Sequence, residues 1–241
     1  MYNIEDITTS YELCTCVTFE DGQKTSFRKV EHIAAKKVKT GFAFTFLGCE
    51  EEIMDGGELD DWGKIFMALG KALYPYTLLT NEKGKLVGVK DFEKLKEGWI
   101  ASRDAIIESY DYNYEVKKVA YSYSQTLATE KIFLGLLRRN MFFRLLFWQD
   151  DLTSQEVEIM NFPNKSALSI FCFQGWKKEE DSISYETDTV YDEGKFDLLS
   201  GNCAVRIRRD ADGLPGEVTL LAKVEKRYRG YYIKEIKLRR L

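Results

Sequence analysis

From Thr129 to Trp148 the chain reads Thr-Glu-Lys-Ile-Phe-Leu-Gly-Leu-Leu-Arg-Arg-Asn-Met-Phe-Phe-Arg-Leu-Leu-Phe-Trp, its densest apolar run. Any fold of this chain must cover that run. A membrane span needs about 20 predominantly apolar residues with few charges, and Arg138, Arg139 and Arg144 interrupt this one too often. The stretch is therefore expected to be either a buried core element or a docking surface for a partner.

The 241 residues are enough to bury a sizeable core, in one domain or in two. A hydrophobic content of 44% with 31% charged residues describes a folded chain, not a disordered one. The net charge of −4 excludes a global basic field that would draw the whole molecule to nucleic acid or an anionic membrane. Met1 to Ile7 carry neither a basic nor an apolar leader segment, so no secretory signal is expected. Five cysteines, an odd number without the dense spacing of a disulfide scaffold, fit a reducing cytoplasm.

Along the chain, the side-chain period changes twice. Tyr11, Leu13, Val17 and Phe19 alternate with Glu12, Cys14, Cys16 and Thr18, and Glu20-Asp-Gly-Gln supplies a turn. Return strands are expected from Lys24 to about Lys37 and from Phe42 to Leu47, with Phe42, Phe44 and Phe46 on one face. Leu59, Trp62, Ile65, Phe66, Leu69 and Leu73 then keep helical spacing up to Pro75. A small hairpin, 76–80 and 85–89, turns at Asn81-Glu-Lys-Gly84. Asp91 is expected to cap a helix striped with Phe92, Leu95, Trp99, Ile106 and Tyr110. One further helix should run from Val116 through Leu127 and Leu134 to about Asn140. Strands resume near Gln155. Ala167 to Phe173 reads as a central strand covered on both faces, Ile183 to Tyr191 as one half-exposed strand. Cys203–Arg209 and Val218–Val224 flank a turn-rich connection, and Tyr231–Leu241 closes the chain.

Strands, then helices, then strands define an α+β protein. The expected form is an antiparallel, curved sheet of N- and C-terminal strands packed on a central layer of about three helices. No Pro/Ser-rich linker divides residues 1–241, so a single interwoven domain is expected, with strands over about 11–49, helices and the hairpin over 57–149, and strands over 155–241. In layer order alone this resembles the curved half-barrels around helices of lipoprotein carriers. No motif ties the chain to that family.

The catalytic inventory is thin. His32 is the one histidine, so any Ser-His-acid or Cys-His unit would have to use it, and it sits with Val30 and Ala34 on a strand face that suits a structural role. Cys14 and Cys16 share a strand face and, with Cys49 and Cys203, would need the fold to assemble a zinc site; their spacing matches no zinc knuckle. Glu50, Glu51, Glu52, Asp55, Glu58, Asp60 and Asp61 follow no calcium-loop pattern and suit a helix start. Gly63 to Ala72 lacks the spacing of a phosphate loop. No cofactor, metal or catalytic residue is assigned, and an enzymatic role ranks last.

Charge is segregated. Cys203 to Leu241 holds eleven Lys/Arg against five Asp/Glu, a local net of +6 that leaves −10 for the rest. Arg206 and Arg208 share a strand face, and Lys223, Lys226, Arg227 and Arg229 interleave with Tyr228, Tyr231 and Tyr232. Such a face suits an acidic protein partner first and single-stranded nucleic acid second, and a solvated sheet edge would show the same pattern. The leading expectation is a non-enzymatic cytoplasmic protein that binds another macromolecule, through this basic face or through Met141–Trp148 with Phe143, Phe147 and Trp148. The alternative is a small-molecule or lipid binder whose cavity is walled by Phe42, Phe44, Phe46 and Trp148. Arg103 and Glu130 each break a helical apolar stripe, which predicts an ion pair between antiparallel helices, or an Arg head that reaches solvent on its own.

Overall fold

Alternating side chains build three long strands at the start of the chain, β1 (Asp6–Thr18), β2 (Lys24–Val38) and β3 (Gly41–Ile53). A computed structural model describes residues 3–53, 61–148, 154–163, 167–192, 198–226 and 230–241. The first turn closes as its residues dictate: Gly22 takes φ 80°, its N–H donates to the Phe19 carbonyl, and the Asp21 carboxylate accepts from the Gln23 N–H at 3.0 Å. At the second turn Gly41 takes φ 146°, and a Cβ there would collide with the Thr80 carbonyl oxygen.

The middle of the chain forms α1 (Asp61–Lys71), the hairpin β4 (Tyr76–Thr80) and β5 (Leu86–Val89), then α2 (Phe92–Ser109), α3 (Tyr114–Ser124), α4 (Glu130–Arg139) and α5 (Met141–Leu146). After them come β6 (Ser154–Met160), β7 (Leu168–Gln174), β8 (Lys177–Lys178), β9 (Ile183–Thr187), β10 (Val190–Asp192), β11 (Leu198–Arg209), β12 (Pro215–Lys226) and β13 (Gly230–Arg240). Ten strands form one antiparallel sheet, in the order β5-β4-β3-β2-β1-β13-β12-β11-β9-β8, which does not close on itself. A second sheet runs β10-β7-β6. The chain is thus mixed, with a large antiparallel sheet and five α-helices among the described residues. None of these helices is long and apolar enough to cross a membrane.

Four expectations are corrected. The single helix expected to end near Asn140 does end there, but it is divided into α3 and α4 by a 3-10 turn at Gln125–Leu127 and by Thr129, which is extended and caps α4, its hydroxyl accepting from the Ile132 N–H at 3.3 Å. Apolar spacing survives the break, since Leu127, Leu134 and Leu137 are all buried. Ile183–Tyr191 divides at Asp188-Thr189, and β9 joins the large sheet while β10 joins the small one. β7 is central, but in the small sheet, with Ser169, Phe171 and Phe173 buried and the other face half-buried. Asp91 precedes α2 as expected, yet makes no side-chain cap; it takes φ 52° in the tight β5–α2 connection, a conformation Asp tolerates.

Contacts divide the chain into two units, each drawing on three stretches of sequence: Met1–Ser10, Glu31–Glu50 and Gly56–Phe147 make the first, and Tyr11–Val30, Glu51–Asp55 and Trp148–Leu241 the second. In the first unit β3 and β4 present Phe44, Phe46, Tyr76 and Leu78 to α4 and α5. Phe46 stacks on Tyr76 at 5.0 Å and meets Phe143 edge-on at 5.2 Å; Phe44 meets Phe147 at 5.0 Å. Trp99 of α2 donates its indole N–H to the Leu69 carbonyl of α1 at 3.1 Å and stacks on Tyr123 of α3 at 5.4 Å. In the second unit the two sheets face each other across Trp148, Phe173 and Tyr185, whose ring centroids lie 5.2–6.3 Å apart. Val205, Ile207, Val218, Leu220 and Leu238 fill the same interior.

Candidate functional site

The basic C-terminal strands carry a ladder of alternating charge on the outer face of the second unit's sheet. Register sets Arg208 of β11 opposite Glu217 of β12, Glu217 opposite Arg239 of β13, and Arg239 opposite Glu12 of β1. Glu12 accepts from Arg28 at 2.7 Å and from Arg239 at 2.8 Å, while Glu217 meets Lys237 at 2.6 Å and Arg208 at 3.8 Å. Arg206, with a side chain 59% exposed, sits 2.7 Å from Glu179 and 3.8 Å from Asp181, and its Nε donates to the Ser182 hydroxyl. Arg240 closes the β11–β12 turn on Asp210 and Asp212. Asp210, Asp212 and Glu217 are already counted in the net +6 of this segment; Glu12, Glu179 and Asp181, from outside it, answer about half of that excess.

The remaining members of the basic face are distributed differently. Lys223 lies 3.8 Å over the exposed Tyr231 ring. Lys226 and Tyr232, expected on the partner-binding surface, are buried, with the ammonium 5.5 Å from the ring; β12 and β13 alternate, and both fall on the inward side. Arg227, Tyr228 and Arg229 lie outside the described residues. A cleft of about 240 Å³ lined by Asp181, Ser182, Arg206, Arg208, Glu217 and Thr219 mixes both signs of charge.

Hydrogen bonding from Arg28, against the opposing effect of burial and helped by Arg239, holds the Glu12 carboxyl below its ordinary range. A depressed carboxylate contributes stability that is present above its ordinary pKa and lost as pH falls through the folded value. Glu12→Gln is expected to cost about 1 kcal/mol at pH 7, in the range of surface pairs. The difference from wild type should shrink as pH falls below the ordinary glutamate value of about 4.3 and vanish once the folded carboxyl is protonated as well; urea denaturation stepped down from pH 7 measures it.

Met141–Trp148 is a core element. Phe142, Phe143, Leu145, Leu146, Phe147 and Trp148 are all buried, so Phe143, Phe147 and Trp148 present no surface to a partner. The helix α5 is short enough to bury nearly all of its circumference, and Arg144 is half-buried at its last turn. The rings of Phe44 and Phe46, expected as cavity walls, are in contact with rings of α5 and its C-cap, and Trp148 packs on Tyr185 in the other unit.

Arg103 and Glu130 do not meet. The Arg103 guanidinium forks onto Asp104 at 2.6 and 2.8 Å, donates to the Ser124 hydroxyl, and lies 4.4 Å over the Tyr121 ring. Glu130 instead accepts from the Val89 backbone N–H at 2.7 Å, tying α4 to β5. A cleft of about 570 Å³ opens beside that contact, lined by Val89, Asp91, Phe92, Glu93, Lys94, Ala128, Thr129 and Glu130.

His32 faces solvent beside Ala34, opposite the buried Glu31, Ile33 and Ala35. Its Nδ1 is 2.8 Å from the Ser10 hydroxyl and its Nε2 3.4 Å from Glu50, a side chain 71% exposed. Two of the three side chains being open to water, the contact is a surface hydrogen-bond chain. The five cysteines are free thiols, with burial pushing Cys203 well up. No cluster of three or more His, Cys, Asp or Glu side chains is placed to hold a metal among the described residues. Of the acidic run, Glu51 pairs with Lys29 and Asp61 with Lys64; Asp55, Glu58 and Asp60 lie outside the described residues.

Another surface includes residues expected in the core: Trp62, Phe66 and Tyr110, placed on apolar helix stripes by their spacing, are exposed. Large aromatic side chains stand exposed on the helices of the first unit: Trp62 and Phe66 on α1, and Tyr110, Tyr112, Tyr114 and Tyr121 on and between α2 and α3. The signal was Tyr110-Asp-Tyr-Asn-Tyr114, whose period of two would read as a short strand and not as the turn it forms.

No family model matches the chain, and no curated protein does. Four chains of solved structures match. One belongs to a structure of lipid–protein interactions in lipovitellin, with a TM-score of 0.40 and 7% sequence identity over 98% of this chain. This chain spans 25% of that one's length, and the likeness carries no argument.

Proposed function

We propose that this protein is a non-enzymatic binding protein whose task is association with another protein through the solvent-facing aromatic side chains of its first unit's helices. The observation that carries the reading is exposure. Tyr112 and Tyr114 are 63% and 73% exposed, and Trp62 and Phe66 are 41% and 51% exposed one helical turn apart on α1. Grouped exposed aromatics mark interaction surfaces, where Tyr, Trp and Phe are enriched. The C-terminal basic face supports an acidic partner less well, because a newcomer would have to displace Glu179, Asp181 or Glu217 from Arg206 and Arg208. Free cysteines, with Cys203 buried as a thiol, fit a reducing cytoplasm.

A photo-cross-linking amino acid placed at Phe66, at Tyr114, and for comparison at Arg206 and Lys223, tests the assignment in cells that express the protein. Adducts of one common mass from Phe66 and Tyr114, and none from Arg206 or Lys223, are expected. Adducts from the sheet positions alone, or from none of the four, would overturn it.

A further inference from the structure

Between α2 and α3 the chain reads Ser109-Tyr-Asp-Tyr-Asn-Tyr-Glu115, and every one of these residues is exposed. From Asp104 to Val116 there are four carboxylates, Asp104, Glu108, Asp111 and Glu115, and no Lys or Arg; Lys117 and Lys118 follow on α3, where Lys117 turns away from the tip to the Tyr121 ring at 5.9 Å. Arg103 engages Asp104, which leaves three acids set among three tyrosines at the tip.

The tip is held in one shape. Asp111 and Tyr112 take successive left-handed conformations, φ 51° and 55°, which are rare for residues other than Gly and for a bulky side chain rarer still. Backbone hydrogen bonds fix them: Asp111 N–H donates to the Glu108 carbonyl at 3.0 Å, Tyr112 N–H to Ile107 at 3.1 Å, and Asn113 N–H to Tyr110 at 3.0 Å. Asn113 Oδ1 then accepts from the Glu115 and Val116 N–H groups and starts α3. The turn thus projects Tyr110, Tyr112 and Tyr114 from an ordered backbone, so little conformational freedom is lost when something settles on them. Tyr with Ser and Asn is also enriched in antibody binding loops, in which tyrosine supplies rigid amphipathic contact area.

Charge selects the occupant. We infer that this knuckle docks an arginine-rich segment of a protein partner, its guanidinium groups stacking on Tyr112 and Tyr114 and pairing with Glu108, Asp111 and Glu115. Arginine is favoured over lysine because a planar guanidinium both stacks on a ring and forks onto a carboxylate. The molecule already contains this arrangement two turns away, where Arg103 lies over Tyr121 and forks onto Asp104. Nucleic acid is disfavoured by three carboxylates at the contact, since phosphate binding needs the opposite charge.

The inference rests on the reading of the aromatic helices as a protein-binding surface, and names its partner chemistry. A dodecapeptide of alternating Arg and Gly is titrated into the full chain by calorimetry, beside its Lys–Gly and Glu–Gly counterparts. The Arg peptide is expected to bind, the Lys peptide at least tenfold more weakly, and the Glu peptide not at all, with affinity falling tenfold or more between 50 and 300 mM salt. The double variant Tyr112→Asn/Tyr114→Ala should lose binding at least tenfold with an unchanged melting temperature, Asn being tolerant of the left-handed position. Tyr112→Phe/Tyr114→Phe should keep it. Equal binding of Arg and Lys peptides, or wild-type affinity in the Asn/Ala variant, overturns the inference. If the partner cross-linked at Tyr114 is not displaced by the Arg peptide, this inference fails while the protein-binding reading stands; if nothing cross-links, that reading fails.

Discussion

Phe46→Ala is expected to destabilise the first unit by about 3–5 kcal/mol, the range for a large aromatic removed from a packed interior. Phe46 has no exposed surface, and its ring is enclosed by Tyr76 at 5.0 Å, Phe143 at 5.2 Å and Phe142 at 6.3 Å. Three ring contacts are lost together. Two of them come from α5 and one from β4, so neighbours held by separate elements cannot easily collapse into the space, and the cavity adds to the lost transfer energy. Phe66→Ala removes the same side chain from an exposed helical position and should change stability by no more than about 0.5 kcal/mol. Guanidinium denaturation of the two variants provides the comparison. A loss below about 1 kcal/mol for Phe46→Ala would mean that the aromatic cluster is loose enough to refill.

Why Phe46 was legible and other sites were not follows from what a periodicity encodes. Phe42, Phe44 and Phe46 repeat every second residue, and alternation places them on one face of β3 without any knowledge of the partner. The mixed architecture, the hairpin 76–80 with 86–89, and the pairing of β11 with β12 across a Gly-rich turn were readable for the same local reason. Partnership was not local. Arg103 lies in the middle of an apolar stripe, but a helical wheel gives the direction of a side chain and not its acceptor, which was the adjacent Asp104. The basic tail counted as +6 because part of its counter-charge is supplied by register: Glu12 meets Arg239 across 227 residues of sequence. Met141–Trp148 was open between core and docking surface because composition alone does not distinguish them. The Tyr110–Tyr114 tip was visible as letters and silent as structure, since its conformation depends on two left-handed residues that no periodicity announces.

Stability should also fall steeply above about pH 10, driven by a buried phenol–carboxylate cluster in the first unit. Glu31 has no exposed surface, and the Tyr74 hydroxyl lies 2.7 and 2.8 Å from its two oxygens, where it donates its one proton. Burial first, then the neighbouring Tyr76 and Glu31, push the Tyr74 phenol far above its ordinary value; Tyr76 is raised by burial and by Glu31 in the same way. A group whose folded pKa is raised keeps its proton where the unfolded chain has lost it. Its contribution is therefore complete below the unfolded pKa, about 10 for tyrosine, and is lost as pH rises beyond it. Each such group adds a slope of about 1.4 kcal/mol per pH unit, and the buried Cys203 thiol, raised by burial in the same way, adds to that of the two phenols. Tyr74→Phe withdraws a donor from a buried carboxylate, at a cost of about 1–3 kcal/mol at pH 7, and removes one of the two titrating phenols. Its stability should decline between pH 10 and 11 with a slope about 1.4 kcal/mol per pH unit shallower than that of wild type. Urea denaturation across pH 8–11 measures both quantities, and parallel curves for wild type and Tyr74→Phe would show that Tyr74 ionises as freely in the folded chain as in the unfolded one.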